Sequence, residues 1–147
     1  MQKDFDTWNE EKKVINVRQD TPQMFFKEQE IWWSYIGLNV GYEQDGKGDG
    51  FVRPILVIKK FGSDTFVALP LTTKTRTRSY LVPCTSLDGV FRQANITQLK
   101  TLDVKRLRDR ITFASQESFV EIRKAVREIF FDPLSLKSSD PDGSPEP

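Results

Sequence analysis

The sequence predicts a mainly β, α+β fold: a small, strongly bent sheet or barrel with a C-terminal amphipathic helix packed on it and a helical arm before it. Three observations carry this. Short β-rich segments recur from residue 31 to residue 99, separated by turn residues every ~8–12 positions. Near the end, Phe119, Ile122, Val126 and Ile129 fall at spacings of three, four and three, which is one apolar helical face. The length, 147 residues, is that of one domain.

Taken in order, residues 3–18 form a mixed polar segment with Phe5, Trp8 and Ile15, whose spacing of three and then seven can place them on one helical face. Residues 1–27 are therefore read as a helical arm, and 28–131 as the core domain. Ile31-Trp32-Trp33-Ser34-Tyr35-Ile36 is an aromatic first strand. Strand neighbours face opposite sides, so one tryptophan is core and the other is free for stacking or a subunit surface. A glycine-rich loop, GYEQDGKGDG (41–50), follows. Residues 51–60, FVRPILVIKK, form a strong strand with Pro54 near its start, where a missing donor is tolerated. Phe61 to Asp64 is turn chemistry, and TFVALPL (65–71) is the next strand. TTKTRTR (72–78) is a basic loop, Ser79 to Pro83 a strand, Leu87-Asp88-Gly89 a turn, and 90–99 holds one further strand. Asp103 to Leu107 reads as a helical turn capped by Thr101 or Asp103, and Ile111 to Phe113 as a last short strand. Ser115 caps the helix 116–130, and Pro133 limits its extension. Residues 132–147 end in SSDPDGSPEP, too polar, acidic and proline-rich to offset the entropy of ordering, and are read as a disordered tail.

Composition excludes several chemistries. There is one cysteine, Cys84, so neither an internal disulfide nor a cysteine-based structural zinc site is available, and a cytosolic protein is expected. There are no histidines. That removes the Ser-His-Asp triad, the Cys-His dyad, paired-His ribonuclease chemistry and His-ligated metals. No apolar run reaches the ~18 residues of a membrane span, and the polar N-terminus lacks the apolar core of a secretory signal. Net charge is +1, but unevenly spread: residues 1–30 carry −2, residues 131–147 carry −3, and residues 31–130 carry +6. A basic central domain suits a polyanion, and equally a solvated surface.

Several groups could carry chemistry, each with a plainer alternative. The 41–50 loop could cradle phosphate through backbone donors, but it lacks the Walker pattern and the EF-hand pattern; otherwise it is a mobile hairpin loop. Arg53, inside an apolar strand, needs a partner or an exit to water. It is a structural ion pair or a snorkelling edge residue, or else a fixed guanidinium aimed at phosphate. Thr72 and Thr73, with Lys74, Arg76 and Arg78 beyond them, suit phosphate contact or form a solvated basic loop. QLKTLDVKRLRDR (98–110) is a second polyanion contact or a solvated turn with local Asp–Arg pairs.

Together these motifs resemble the MazF/PemK toxins. In that family an aromatic first strand leads to a G-x-E-Q loop, then R-P and an apolar strand. The matching residues are Gly41, Glu43, Gln44, Arg53 and Pro54. A strand ending in threonine follows, met by ALPLTTK with Thr72 in the key place. Third comes a Q-[IL]-[KR]-T-[IL]-D-x-x-R-L segment, met from Gln98 to Leu107. The resemblance covers residues 28–130.

It implies an SH3-like barrel of the CcdB/MazF type, acting as a homodimeric toxin of a type II toxin–antitoxin system. The implied activity is metal-independent cleavage of single-stranded RNA by 2′-hydroxyl attack, with no cofactor, no membrane association, and a cognate antitoxin as partner. Arg53 would stabilise the phosphorane, Thr72 would position the scissile phosphate, and Glu43 is the candidate base or an RNA contact. Gln44, Thr73, Lys74, Arg76, Arg78 and Gln98 are the candidate RNA-binding residues. Three departures from the family pattern stand out: Tyr42 where a small serine is common, eight residues between Gln44 and Arg53, and the additional arm 1–27. The alternative function is a non-catalytic barrel that holds RNA or inhibits a protein target such as gyrase.

Overall fold

Two long neighbouring strands, β2 (Val52–Phe61) and β3 (Thr65–Thr72), form the spine of the fold, and alternation along them feeds two different cores. Residues 2–21 and 25–132 are described in this computed structural model. The remaining elements are α1 (Phe5–Asn16), β1 (Glu30–Tyr35), β4 (Leu81–Cys84), β5 (Arg92–Asn95), β6 (Lys100–Asp103), β7 (Leu107–Phe113) and α2 (Gln116–Phe131). All strand pairs are antiparallel, in the order β4-β5-β3-β2-β1-β7.

The sheet forks at β3. One edge of β3 pairs with β2; the other pairs with β6 over Thr65 to Ala68 and with β5 at Leu71 and Thr72. β6 and β7 therefore lie on opposite sides of the β3-β2-β1 layer, yet only a 3-10 turn, Val104–Arg106, separates them in the chain. Three residues span at most ~11 Å, so the sheet must curl until those edges approach. The expected barrel is thus a strongly curled sheet whose hydrogen-bonded path stays open.

Inside the curl lie Phe26, Trp32, Ile36, Ile55, Val57, Phe66, Ala68, Leu102, Val104 and Leu107. On the other face Ile31, Leu56, Ile58, Leu69 and Leu71 pack with Phe119, Ile122 and Val126 of α2. Odd and even positions of β2 thus divide between the two cores, as a period of two requires. Trp32 is the core tryptophan, whereas Trp33 is half-buried beneath Arg108. Ser115 caps α2 by accepting from the Ser118 N–H (3.1 Å), and Asp103 caps the 3-10 turn by accepting from Lys105 N–H (2.8 Å).

Several expectations are corrected. Phe5 is 48% exposed and does not share the buried face of Trp8 and Ile15; α1 rests on one turn-spaced pair only. The fourth strand starts at Leu81 rather than Ser79. β6 was not expected, and β7 is seven residues long, not three. Both are edge segments with exposed charges, Lys100 and Asp103 in one, Arg108 to Arg110 in the other, so neither presents an apolar run. The tail from Pro133 onward lies outside the described residues. Among the described residues no helix is long and apolar enough to cross a membrane.

Candidate functional site

The β2–β3 register brings Arg53 and Thr72 together. Ile55 pairs with Pro70, and continuing two residues along each antiparallel strand sets Arg53 opposite Thr72 on the inner face. Here the curl opens into a cleft of about 320 Å³. Glu43, Gln44, Lys74 and Arg76 line it with these two residues, so two loops and two strands converge.

Arg53 is 9% exposed. Its partners are main-chain carbonyls rather than the carboxylate of an ion pair: Nε donates to Asp45 O (2.6 Å) and Nη1 to Leu71 O (3.3 Å). Two N–H groups of the guanidinium are fixed, and Nη2 has no protein acceptor among the described residues. Burial holds the Arg53 guanidinium below its ordinary pKa, while the nearby Asp45 charge opposes the shift. The Thr72 hydroxyl accepts from Lys74 N–H (3.1 Å), which leaves its own proton free to donate.

The 41–50 loop is tied down rather than a loose hairpin. Asn39 N–H donates to Asp45 Oδ1 (2.7 Å) and Asn39 Nδ2 to Gln44 O (2.7 Å). Lys47 and Val52 form a two-bond bridge across it. Gly46 donates to Gly37 O (2.8 Å) and lies so close to Phe51 that an added Cβ would sit 1.7 Å from the Phe51 carbonyl oxygen. Glu43 is exposed, with Oε1 accepting from Val40 N–H (3.1 Å). Tyr42, at 103% relative exposure, projects wholly into solvent.

Gln98 reaches the site from the far side, accepting from Gln44 N–H (3.1 Å). It lines a second, more apolar cavity of about 510 Å³, which shares Glu43, Gln44 and Pro70 with the first. Lys100 also borders that cavity. Its ammonium is held below its ordinary pKa by burial and by Arg106, against the pull of Glu43 and Asp45. Arg106 itself donates to Tyr35 O (2.8 Å), so it is a structural group rather than an exposed polyanion contact. Thr73 and Arg78 are exposed on the basic loop and do not line either cavity.

Two residues beyond the sequence expectations shape the site. Asp45 supplies the carbonyl that orients Arg53. Gln93, 6% exposed, accepts from Arg76 N–H (3.0 Å) and donates to Arg76 O (2.9 Å), clamping the basic loop in the middle. A glutamine inside the short strand RQAN was its only signal. Among the described residues no group of three or more His, Cys, Asp or Glu could hold a metal ion.

What the site offers is a fixed guanidinium, a free hydroxyl donor, three exposed cations (Lys47, Lys74 and Arg76) and two acidic residues (Glu43 and Asp45) around an open cleft. That set suits a phosphodiester held at its non-bridging oxygens. The model of the PemK-like, MazF-like toxins of type II toxin–antitoxin systems matches residues 27–130. No curated protein sequence matches the chain. Among solved structures, MazF (Form-I) from Deinococcus radiodurans is similar at TM-score 0.57 and 19% identity, over 71% of this chain and 94% of that one. The MazE–MazF structure (Form-II) from the same organism aligns at TM-score 0.53 and 16% identity, over 72% and 95%. A mycobacterial endoribonuclease in complex with its cognate antitoxin aligns at TM-score 0.50 and 20% identity, over 68% and 89%. These likenesses carry the fold, and the match over 27–130 carries the membership: this chain belongs to the PemK-like, MazF-like toxin family of type II toxin–antitoxin systems.

Proposed function

We propose that the chain is a cytoplasmic endoribonuclease that cuts single-stranded RNA without a metal ion. The observation that carries this reading is the convergence of Arg53 and Thr72 on one cleft. With no histidine in the chain, the simplest route uses the substrate's own 2′-hydroxyl as nucleophile. The 2′-oxygen attacks phosphorus, the bond to the 5′-oxygen breaks, and the products are a 2′,3′-cyclic phosphate and a 5′-hydroxyl.

Arg53 serves the developing negative charge through its unbonded Nη2. Thr72 donates to a non-bridging oxygen. Glu43 takes the 2′-hydroxyl proton, and the leaving 5′-oxygen takes up a proton in a transfer that Arg53 assists. Gln44, Lys74, Arg76 and Gln98 line the path on either side; Thr73 and Arg78 extend the basic surface. A homodimer neutralised by a cognate antitoxin is the assembly this reading implies.

The test is incubation of purified protein with a long single-stranded RNA in EDTA, followed by mapping of cut ends. Cuts bearing cyclic phosphate and 5′-hydroxyl ends, with DNA of the same sequence left whole, are expected because DNA lacks the nucleophile. RNA left intact across every short sequence context would overturn the catalytic reading in favour of a binding module.

A further inference from the structure

The matched family region begins at residue 27, so α1 is an addition to it. Its contacts run to the loop that carries the site. Trp8 of α1 is 5% exposed and wedges against Gly37, where an added Cβ would sit 2.1 Å from the indole ring. The same ring meets Phe51 edge-on, with centroids 5.8 Å apart. Phe51 has a left-handed backbone (φ 54°), unusual for an aromatic residue, and its carbonyl accepts from both Ile36 and Gly37 N–H. The rear of the arm is also fastened: Lys105 Nζ donates to Asn16 O (3.0 Å), and Arg18 Nη1 donates to Leu107 O (2.8 Å).

Lys3 makes the closest link to the site. It directly precedes Asp4, whose side chain caps α1 by accepting from Thr7 N–H (3.1 Å), so the helix start fixes its position. Its ammonium donates to Asn39 O (2.6 Å) and Gly41 O (3.0 Å) and pairs with Asp45 Oδ2 (2.9 Å). Three donors thus meet three acceptors across one loop. Asp45 in turn offers its main-chain carbonyl to Arg53 Nε.

We propose that Lys3 is a positioning residue for the cleft: by clamping the loop through Asn39, Gly41 and Asp45, it sets the carbonyl that aims Arg53. The arm is then a strut of the site. This rests on the ribonuclease reading for its kinetic consequence, but the clamp itself can be measured without cleavage.

The experiment uses full-length Lys3→Ala, Lys3→Arg and, as a charge control, Lys12→Ala. Lys12 is exposed on α1 and has no bond to the loop. For Lys3→Ala the expected result is a fall in kcat of about 10- to 100-fold with KM changed less than about threefold, because misplacing a fixed group costs rate more than binding. Lys3→Arg should recover most of the rate, and Lys12→Ala should match wild type. In parallel, amide hydrogen exchange at Asn39 and Gly46 should quicken in Lys3→Ala while exchange in β2 and β3 stays unchanged. An unchanged kcat in Lys3→Ala would overturn the proposal. So would a rise in KM alone that Lys12→Ala reproduces, since that is bulk charge. If wild-type protein cuts no RNA, the ribonuclease reading fails separately. Exchange still decides the clamp: faster loop amides support it and unaltered ones overturn it.

Discussion

Arg53 and Thr72 stand opposite one another on neighbouring strands, two residues beyond the Ile55–Pro70 pair, and face the same cleft. This one relationship places a fixed cation beside a hydroxyl donor. The curl of the sheet leaves their end of the strands open, while Ile55 and Val57, on the same face of β2, are buried in the inner core.

Thr72 should act through its hydroxyl rather than its bulk. Thr72→Ser is expected to keep cleavage within a few-fold of wild type. Thr72→Val keeps the shape but loses the donor, and should lower kcat by about 10²-fold. Its stability should drop by no more than about 1 kcal/mol, the worth of the lost bond from Lys74 N–H. Steady-state cleavage and thermal melts on both variants check this.

Gly46 should be intolerant of any side chain. A Cβ there meets the Phe51 carbonyl oxygen, a main-chain atom that cannot rotate away. Gly46→Ala should therefore displace the loop between β1 and β2, cost about 1–3 kcal/mol and depress cleavage more than the stability loss accounts for. Denaturant titration beside single-turnover cleavage measures both effects.

Cys84 gives a pH prediction remote from the site. Burial pushes its thiol from the ordinary 9.0 up to about 11, Arg92 working against the shift and Asp88 adding to it. Below pH 9.0 both folded and unfolded chains hold the proton, so the thiol adds no pH dependence. Between there and about 11 only the unfolded chain releases it, so stability falls as pH rises, by about 2–3 kcal/mol over the window. Cys84→Ala should lack this decline in denaturant titrations across that range. In the native protein at pH 8, Cys84 should also resist a thiol-reactive disulfide probe, being fully buried.

Periodicity explains what the sequence disclosed. The α2 stripe and the division of Trp32 from Trp33 were legible because a helix repeats every ~3.6 residues and a strand every two. β6 and most of β7 were not, since Lys100, Asp103 and Arg108 to Arg110 face solvent and mask the strand pattern. Arg53 and Thr72 could be nominated by their setting, but their adjacency could not, because it depends on how β2 pairs with β3. The roles of Lys3, Asp45 and Gln93 were hidden for a related reason. Each acts through main-chain atoms of residues placed by the tertiary fold, and a sequence does not display such bonds.

The most direct test of the central claim compares wild type with Arg53→Ala on long single-stranded RNA in EDTA, with folding of both confirmed by melting. Wild type should cut, leaving cyclic phosphate and 5′-hydroxyl ends, and folded Arg53→Ala should be slower by at least about 10²-fold. A folded Arg53→Ala protein that cuts at the wild-type rate would contradict it.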